Sequence, residues 1–202
     1  TSVLLGMLVE RAWGGERLDI IAQRELFGPL GMESTTFEPT RLDPRRLVPT
    51  EYDPWRGRVM CGEVHDESAW KLRGIMVPGS AGLFSTVPDL LSFLGMILND
   101  GVAGGRRYVS GGVLDAVYSN QVGDLGASTG LGWELGRPRS MGSHAAHIAG
   151  KTGFTGCIIM CSGRCGRGAA ILSNWTWPGR RATREAVDRV RRQVADAVFG
   201  GV

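Results

Sequence analysis

The chain has 202 residues, 43% hydrophobic and 21% charged, enough to bury a sizeable core as one large domain or two small lobes and too apolar for disorder. Its net charge of +3, carried mostly by arginine, does not imply a nucleic-acid partner, and no run approaches the roughly 20 apolar residues that span a bilayer. Thirty-one glycines, about twice ordinary usage, point to many turns, and four cysteines are too few for a disulfide framework at this length.

TSVLLGMLVERAW (1–13) is apolar and helical from its second residue, stopped by Gly14-Gly15, and it reads like the middle of a protein. RLDIIAQRELFGPLGM (17–32) predicts a second helix, closed by Gly28-Pro29. From Glu33 to Met76 the sequence is rich in Pro, Arg, Asp and Gly with little periodicity, which predicts a long ordered loop region of the functional kind. Helices are expected over Val87 to Leu98, with Pro88 in the first turn, and within VSGGVLDAVYSN (109–120).

GLGWEL (130–135) resembles a strand. HIAGKTGF, CIIMCS and GAAILSNW then predict an antiparallel meander, crossed by a final helix from Arg181 to Phe199. On that helix Val187, Val190, Val194 and Val198 make an apolar stripe, so the basic run Arg180 to Arg192 is expected on a solvated face. Residues 1–140 are therefore expected to form a mostly helical lobe, and 141–202 a sheet with a packing helix.

Three spacings carry possible chemistry. Ser68 and Lys71 stand one helical turn apart, so a neutral lysine could take the serine's proton. Tyr118-Ser119-Asn120 and Lys151-Thr152-Gly153 follow, in the order of the three motifs that penicillin-binding proteins and serine β-lactamases use. On a strand edge, a lysine ammonium and threonine hydroxyl offer donors to a substrate carboxylate or carbonyl. The glycine leaves room for a substrate backbone, and the next amide, that of Phe154, can serve an oxyanion.

Ser80, in PGSAGLFS, is either a cleft-lining residue or part of a plain turn. His65, Asp66 and His147 are either proton carriers or hydrogen-bonded structural residues. Cys157, Cys161 and Cys165 recur every four residues without the paired short spacing of zinc sites, and read as small buried hydrophobes on a strand. Asn174-Trp175-Thr176 matches a glycosylation sequon, and Trp133, Trp175 and Trp177 read as core or cleft-wall aromatics.

Longer strings carry a resemblance. AGKTGFTGC with AAILSNWTWP, VHDESAW with PGSAGLFSTVPDLLSFLGMIL, and TSVLLGMLVERAWGGERLDIIAQRELFGPLGMESTTF are similar to segments of the class C β-lactamase, DD-peptidase and family VIII esterase group. The resemblance spans nearly all of residues 1–199. It implies an α/β (α+β) fold, β-lactamase/transpeptidase-like, and acyl transfer through a serine ester on a β-lactam, a D-Ala-D-Ala peptide or a small ester, with no metal or organic cofactor.

In that group the helix pair resembling residues 1–37 follows both the nucleophile and tyrosine motifs, whereas here it precedes Ser68. Only 33 residues separate Tyr118 from Lys151, too few for the helical lobe the group inserts there. The resemblance thus carries over only Lys151, Thr152, Gly153 and the Phe154 amide, and places the serine upstream of Thr1, as does any targeting signal. The expected partners are a small-molecule or peptidoglycan-like substrate and either the missing N-terminal segment or a second copy. A non-catalytic binding module and a self-contained hydrolase using Ser68, Lys71 and Tyr118 are the alternatives.

Overall fold

The computed structural model describes residues 1–181 and 183–200; Ala182, inside the span expected for the last helix, and Gly201 and Val202 lie outside the described residues. The chain forms two compact units, Thr1–Asp89 with Thr176–Arg180, and Leu90–Trp175 with the residues from Arg181 onward.

In the first unit, helix α1 (Ser2–Ala12) ends where Gly14 and Gly15 take the left-handed backbone, at φ +72° and +89°. Helix α2 (Leu18–Ala22) runs on into a π-helical turn, Gln23–Phe27. Gly28 closes it by donating its amide to the Gln23 carbonyl at 2.9 Å. A Cβ at Gly28 would sit 2.9 Å from that same oxygen, so the wide turn depends on glycine.

The stretch 33–76, aperiodic in sequence, holds two short 3-10 turns, the antiparallel hairpin of β1 (Glu51–Asp53) and β2 (Arg58–Met60), and helix α3 (Glu67–Leu72). Strands of three residues are too short to show a period of two. The start of α3 is marked by its cap, Asp66, whose Oδ1 accepts from the Ala69 amide at 2.8 Å. Met60, Ala69, Met76 and Val77 are buried in this unit. Asp89, near the start of helix α4 (Val87–Leu98), accepts from the Ser34 amide and the Thr35 hydroxyl at 2.9 and 2.7 Å.

The second unit contains a small hairpin, β3 (Val102–Ala103) with β4 (Arg106–Arg107), then α5 (Gly111–Tyr118), capped by the Ser110 hydroxyl. Strand β5 (Glu134–Leu135) and helix α6 (Pro138–Met141) lead to β6 (Ala149–Thr152), β7 (Ile158–Ser162) and β8 (Arg167–Ile171), and α7 (Arg184–Phe199) closes the unit. The four strands form one antiparallel sheet in the order β5-β6-β7-β8. The expected meander is β6-β7-β8, and the strand expected in GLGWEL is β5, only two residues long.

One face of the sheet is core. Ile158, Met160 and Ala169 pack with Met141, Ala145 and Ile148 and with Ala195 and Phe199 of α7. The isoleucine, methionine and phenylalanine side chains each contribute about 1.5–3 kcal/mol by leaving water. The other face meets α4, where a Cβ on Gly168 would lie 3.2 Å from Leu98 Cδ1.

The stripe expected on α7 is displaced by one position. Its buried residues are Asp188, Arg191, Ala195 and Phe199, while Val190 is 50% exposed. Arg191, expected on a solvated face with the rest of the basic run, is only 4% exposed. The reason is the partner it meets there.

Candidate active site

Strand β6 ends in the Lys-Thr-Gly sequence, and the turn after it is held from several directions. Lys151 faces Ile159 and Thr152 faces Ile158 in register. Gly153 donates its amide to the Cys157 carbonyl at 2.7 Å, and Gly156 closes the turn onto the Gly153 carbonyl at 3.2 Å. Because Gly153 turns its N–H toward β7, the two-residue alternation of a strand turns the peptide groups of Thr152 toward the opposite edge. There the pairing of β5 stops at Gly150.

Arg191 fixes the turn from beneath. Its Nη2 donates to the carbonyls of Gly153 and Cys157 at 3.1 and 3.0 Å, and its Nε to that of Gly156 at 3.2 Å. Asp188 balances the charge at 2.9 Å and also accepts from Arg139 Nε at 2.7 Å. A buried guanidinium is tolerable only with such extensive pairing. The planar trans peptide supplies a further consequence: with the Gly153 carbonyl drawn toward Arg191, the N–H of Phe154 points the opposite way.

From the side, Trp175 donates Nε1 to the Phe154 carbonyl at 2.7 Å and its amide to the Thr155 carbonyl at 3.2 Å. Gly156 has φ +98°, and a Cβ there would lie 2.7 Å from both Ser173 Oγ and Trp175 Cδ1. Gly156→Ala is therefore expected to destabilise the chain by about 1–3 kcal/mol, combining φ strain with steric conflict. Urea melts of the two proteins measure this, and equal midpoints would contradict the tight turn.

Lys151 is exposed and has no ion-pair partner among the described residues, while the Thr152 hydroxyl donates to Glu134 Oε1 at 3.0 Å. Phe154 is 58% exposed. Ser80, in the first unit, is exposed in a turn.

Ser68 and Lys71 are exposed on α3, with no hydrogen bond between them among the described residues. The Lys71 ammonium lies over the rings of Trp55 and Trp70, 5.1 and 5.8 Å from their centroids. Tyr118 belongs to the other unit and donates its hydroxyl to Cys161 Sγ at 3.4 Å. Burial pushes the Tyr118 pKa well up, the opposite of what a phenolate base needs, and burial likewise pushes the Cys161 thiol up to about 11.

His65 sits between Thr50 Oγ1 at 2.8 Å and Glu51 Oε2 at 3.1 Å, and Asp66 caps α3. His147 has no hydrogen bond to a carboxylate among the described residues; its Nε2 meets Arg164 Nη1 at 2.6 Å. Trp133 stacks on Phe93 at 6.4 Å, and Thr176 of the sequon is fully buried, donating to the Thr50 carbonyl at 2.6 Å. Cys161 is buried, with Cys157 and Cys165 half-buried.

Sequence reasoning missed Arg191, Asp188 and Glu134. The available signal was the Asp188/Arg191 pair, one turn apart on the helix face that also carries Ala195.

A family model described as Beta-lactamase matches residues 1–192. The N-acetylmuramyl-L-alanine amidase of Bacillus subtilis (strain 168) is 30% identical over 198 residues, covering 85% of this chain and 42% of its own length. A protein of Escherichia coli (strain K12) named D-alanyl-D-alanine carboxypeptidase is 29% identical over 176 residues, covering 78% of this chain and 40% of its own. Among solved structures, unliganded simvastatin synthase (LovD) from Aspergillus terreus superposes with a TM-score of 0.65 at 18% identity, covering 97% of this chain and 54% of that one. That likeness concerns fold, and it agrees with the mixed helical and antiparallel-sheet architecture. The chain spans about two-fifths of the length of the curated relatives it matches.

Proposed function

This chain belongs to the β-lactamase family, and on that premise we propose that it supplies the Lys-Thr-Gly side of a serine hydrolase whose nucleophile comes from an upstream segment. The reaction is acyl transfer. A serine Oγ bonds the acyl carbon, the leaving amine or alkoxide departs with a proton, and water then cleaves the serine ester. Lys151 and Thr152 take the substrate's carboxylate, Gly153 admits its backbone, and the Phe154 amide donates to the oxyanion. The names of the curated relatives favour a peptide ending in D-Ala-D-Ala, with β-lactams and small esters as related acyl donors.

One observation carries the reading: Lys151 stands exposed, without a carboxylate partner among the described residues, beside a turn that a buried arginine holds rigid. The relatives' greater length supports an upstream contribution, as does the exposed apolar surface of Leu4, Leu5 and Leu8 on α1.

The test is labelling with a fluorescent penicillin and a p-nitrophenyl ester, read by intact mass. The chain alone is expected to form no adduct, and addition of the upstream segment is expected to give one adduct on that segment. Stoichiometric labelling of Ser68 in the chain alone would overturn the proposal in favour of a self-contained site.

A further inference from the structure

The sheet has a second polar site at the end remote from the Lys-Thr-Gly turn. Where the β7–β8 turn meets the segment before β6, a cavity of about 260 Å³ is lined by His144, His147, Arg164, Ser162, Ile148 and Phe199. Along β6, Ile148 is five residues from Gly153, roughly 16 Å at ~3.3 Å per residue.

Two side chains of this cavity offer donors to a ligand. Ser162 is 2% exposed, and its register places its side chain on the same face as Met160, toward α7. Ser162 lines the cavity, and its hydroxyl can donate to a ligand there.

Arg164 is the second. It is exposed, and its Nη1 meets the His147 ring nitrogen at 2.6 Å, with no ion pair to a carboxylate among the described residues. A neighbouring cavity of about 600 Å³ shares Arg164, His147 and Ile148, and no carboxylate lines either one. Asp196, whose charge acts on His144, already accepts from the amide and hydroxyl of Ser143 at 2.7 and 2.8 Å. The negative end of α7 is met by Arg167, which donates to the Val198 carbonyl at 2.9 Å.

We propose that this cavity binds a small carboxylate with a compact apolar body. Arg164 offers a forked pair of donors matched to two carboxylate oxygens, the Ser162 hydroxyl supplies another, and Ile148 and Phe199 receive the apolar part. Volume agrees: at about 30 Å³ per water, the cavity has room for a body of benzoate's size. Phosphate, which is strongly hydrated and has no apolar part, would leave the Phe199 wall unused.

Isothermal titration of the purified chain with benzoate, benzamide and inorganic phosphate tests this. Benzoate is expected to bind saturably, the neutral isostere benzamide not to bind, and phosphate to bind more weakly than benzoate. Arg164→Gln, in an exposed turn, is expected to weaken benzoate at least 10-fold. Ser162→Ala is expected to weaken it several-fold.

Lys151→Gln is expected to leave benzoate affinity unchanged, which separates this site from the proposed catalytic one. Absence of saturable binding, equal binding of benzamide, preference for phosphate, indifference to Arg164→Gln, or loss on Lys151→Gln would each overturn the proposal.

Discussion

Arg191→Met is expected to destabilise the chain by about 3–5 kcal/mol, the usual loss when one partner of a buried ion pair is removed. Among the described residues, the substitution leaves Asp188, 2% exposed, an ion pair only with the largely solvent-exposed Arg139. It also strips the side-chain donors from the carbonyls of Gly153, Gly156 and Cys157, a cost of about 1–3 kcal/mol for each that stays buried and unpaired. Arg191→Lys keeps the charge, but a single ammonium cannot reproduce the planar fork that reaches several carbonyls at once, so an intermediate loss is expected.

The double variant Asp188→Leu with Arg191→Met is expected to lose less than the sum of the two single changes, since no charge is then left buried. Urea denaturation of the four proteins gives the coupling directly. Additive losses would mean that the pair is not the unit holding the turn.

The same network explains how far the sequence could be read. Long elements with strong periodicity, such as α4 and α7, and apolar runs such as CIIMCS, are visible because many residues repeat one preference. The hairpin of β1 and β2 is not, because three residues hold one and a half periods. The π turn at Gln23–Phe27 has the same side-chain pattern as an α-helix and differs only in a backbone bond that Gly28 permits.

For the candidate site, Lys151, Thr152 and Gly153 were legible because they are contiguous. Arg191 was not, because its partners are backbone carbonyls 34 to 38 residues away, and a carbonyl has no letter in the sequence. The valine stripe of α7 predicted burial from side-chain polarity alone. An extensively paired arginine could displace it by one position, since hydrogen bonds to fixed carbonyls offset the desolvation that normally keeps such a residue outside.

Glu134 adds a constraint to the proposed site. Its carboxylate accepts from the Thr152 hydroxyl, so an anionic substrate arriving there competes for that donor and meets a like charge. In the proposed mechanism Lys151 is then the principal attraction for the substrate's carboxylate. At about 4 Å and an effective dielectric near 20, one such pair interacts by about 4 kcal/mol before desolvation is counted.

Lys151→Met is accordingly expected to lower acylation by a fluorescent penicillin about 10²- to 10³-fold, the range found when one transition-state donor is removed. The upstream segment is supplied in this experiment, and the rate is followed by stopped-flow fluorescence. Because Lys151 is exposed and has no ion-pair partner among the described residues, stability is expected to stay within about 0.5 kcal/mol of the parent. Lys151→Arg retains charge with a different reach and should recover part of the rate. Native acylation by the Met variant would remove Lys151 from the mechanism, whereas failure of the parent chain itself to support acylation would remove the serine-hydrolase reading. The two results are distinguishable because the parent serves as the reference for the variant.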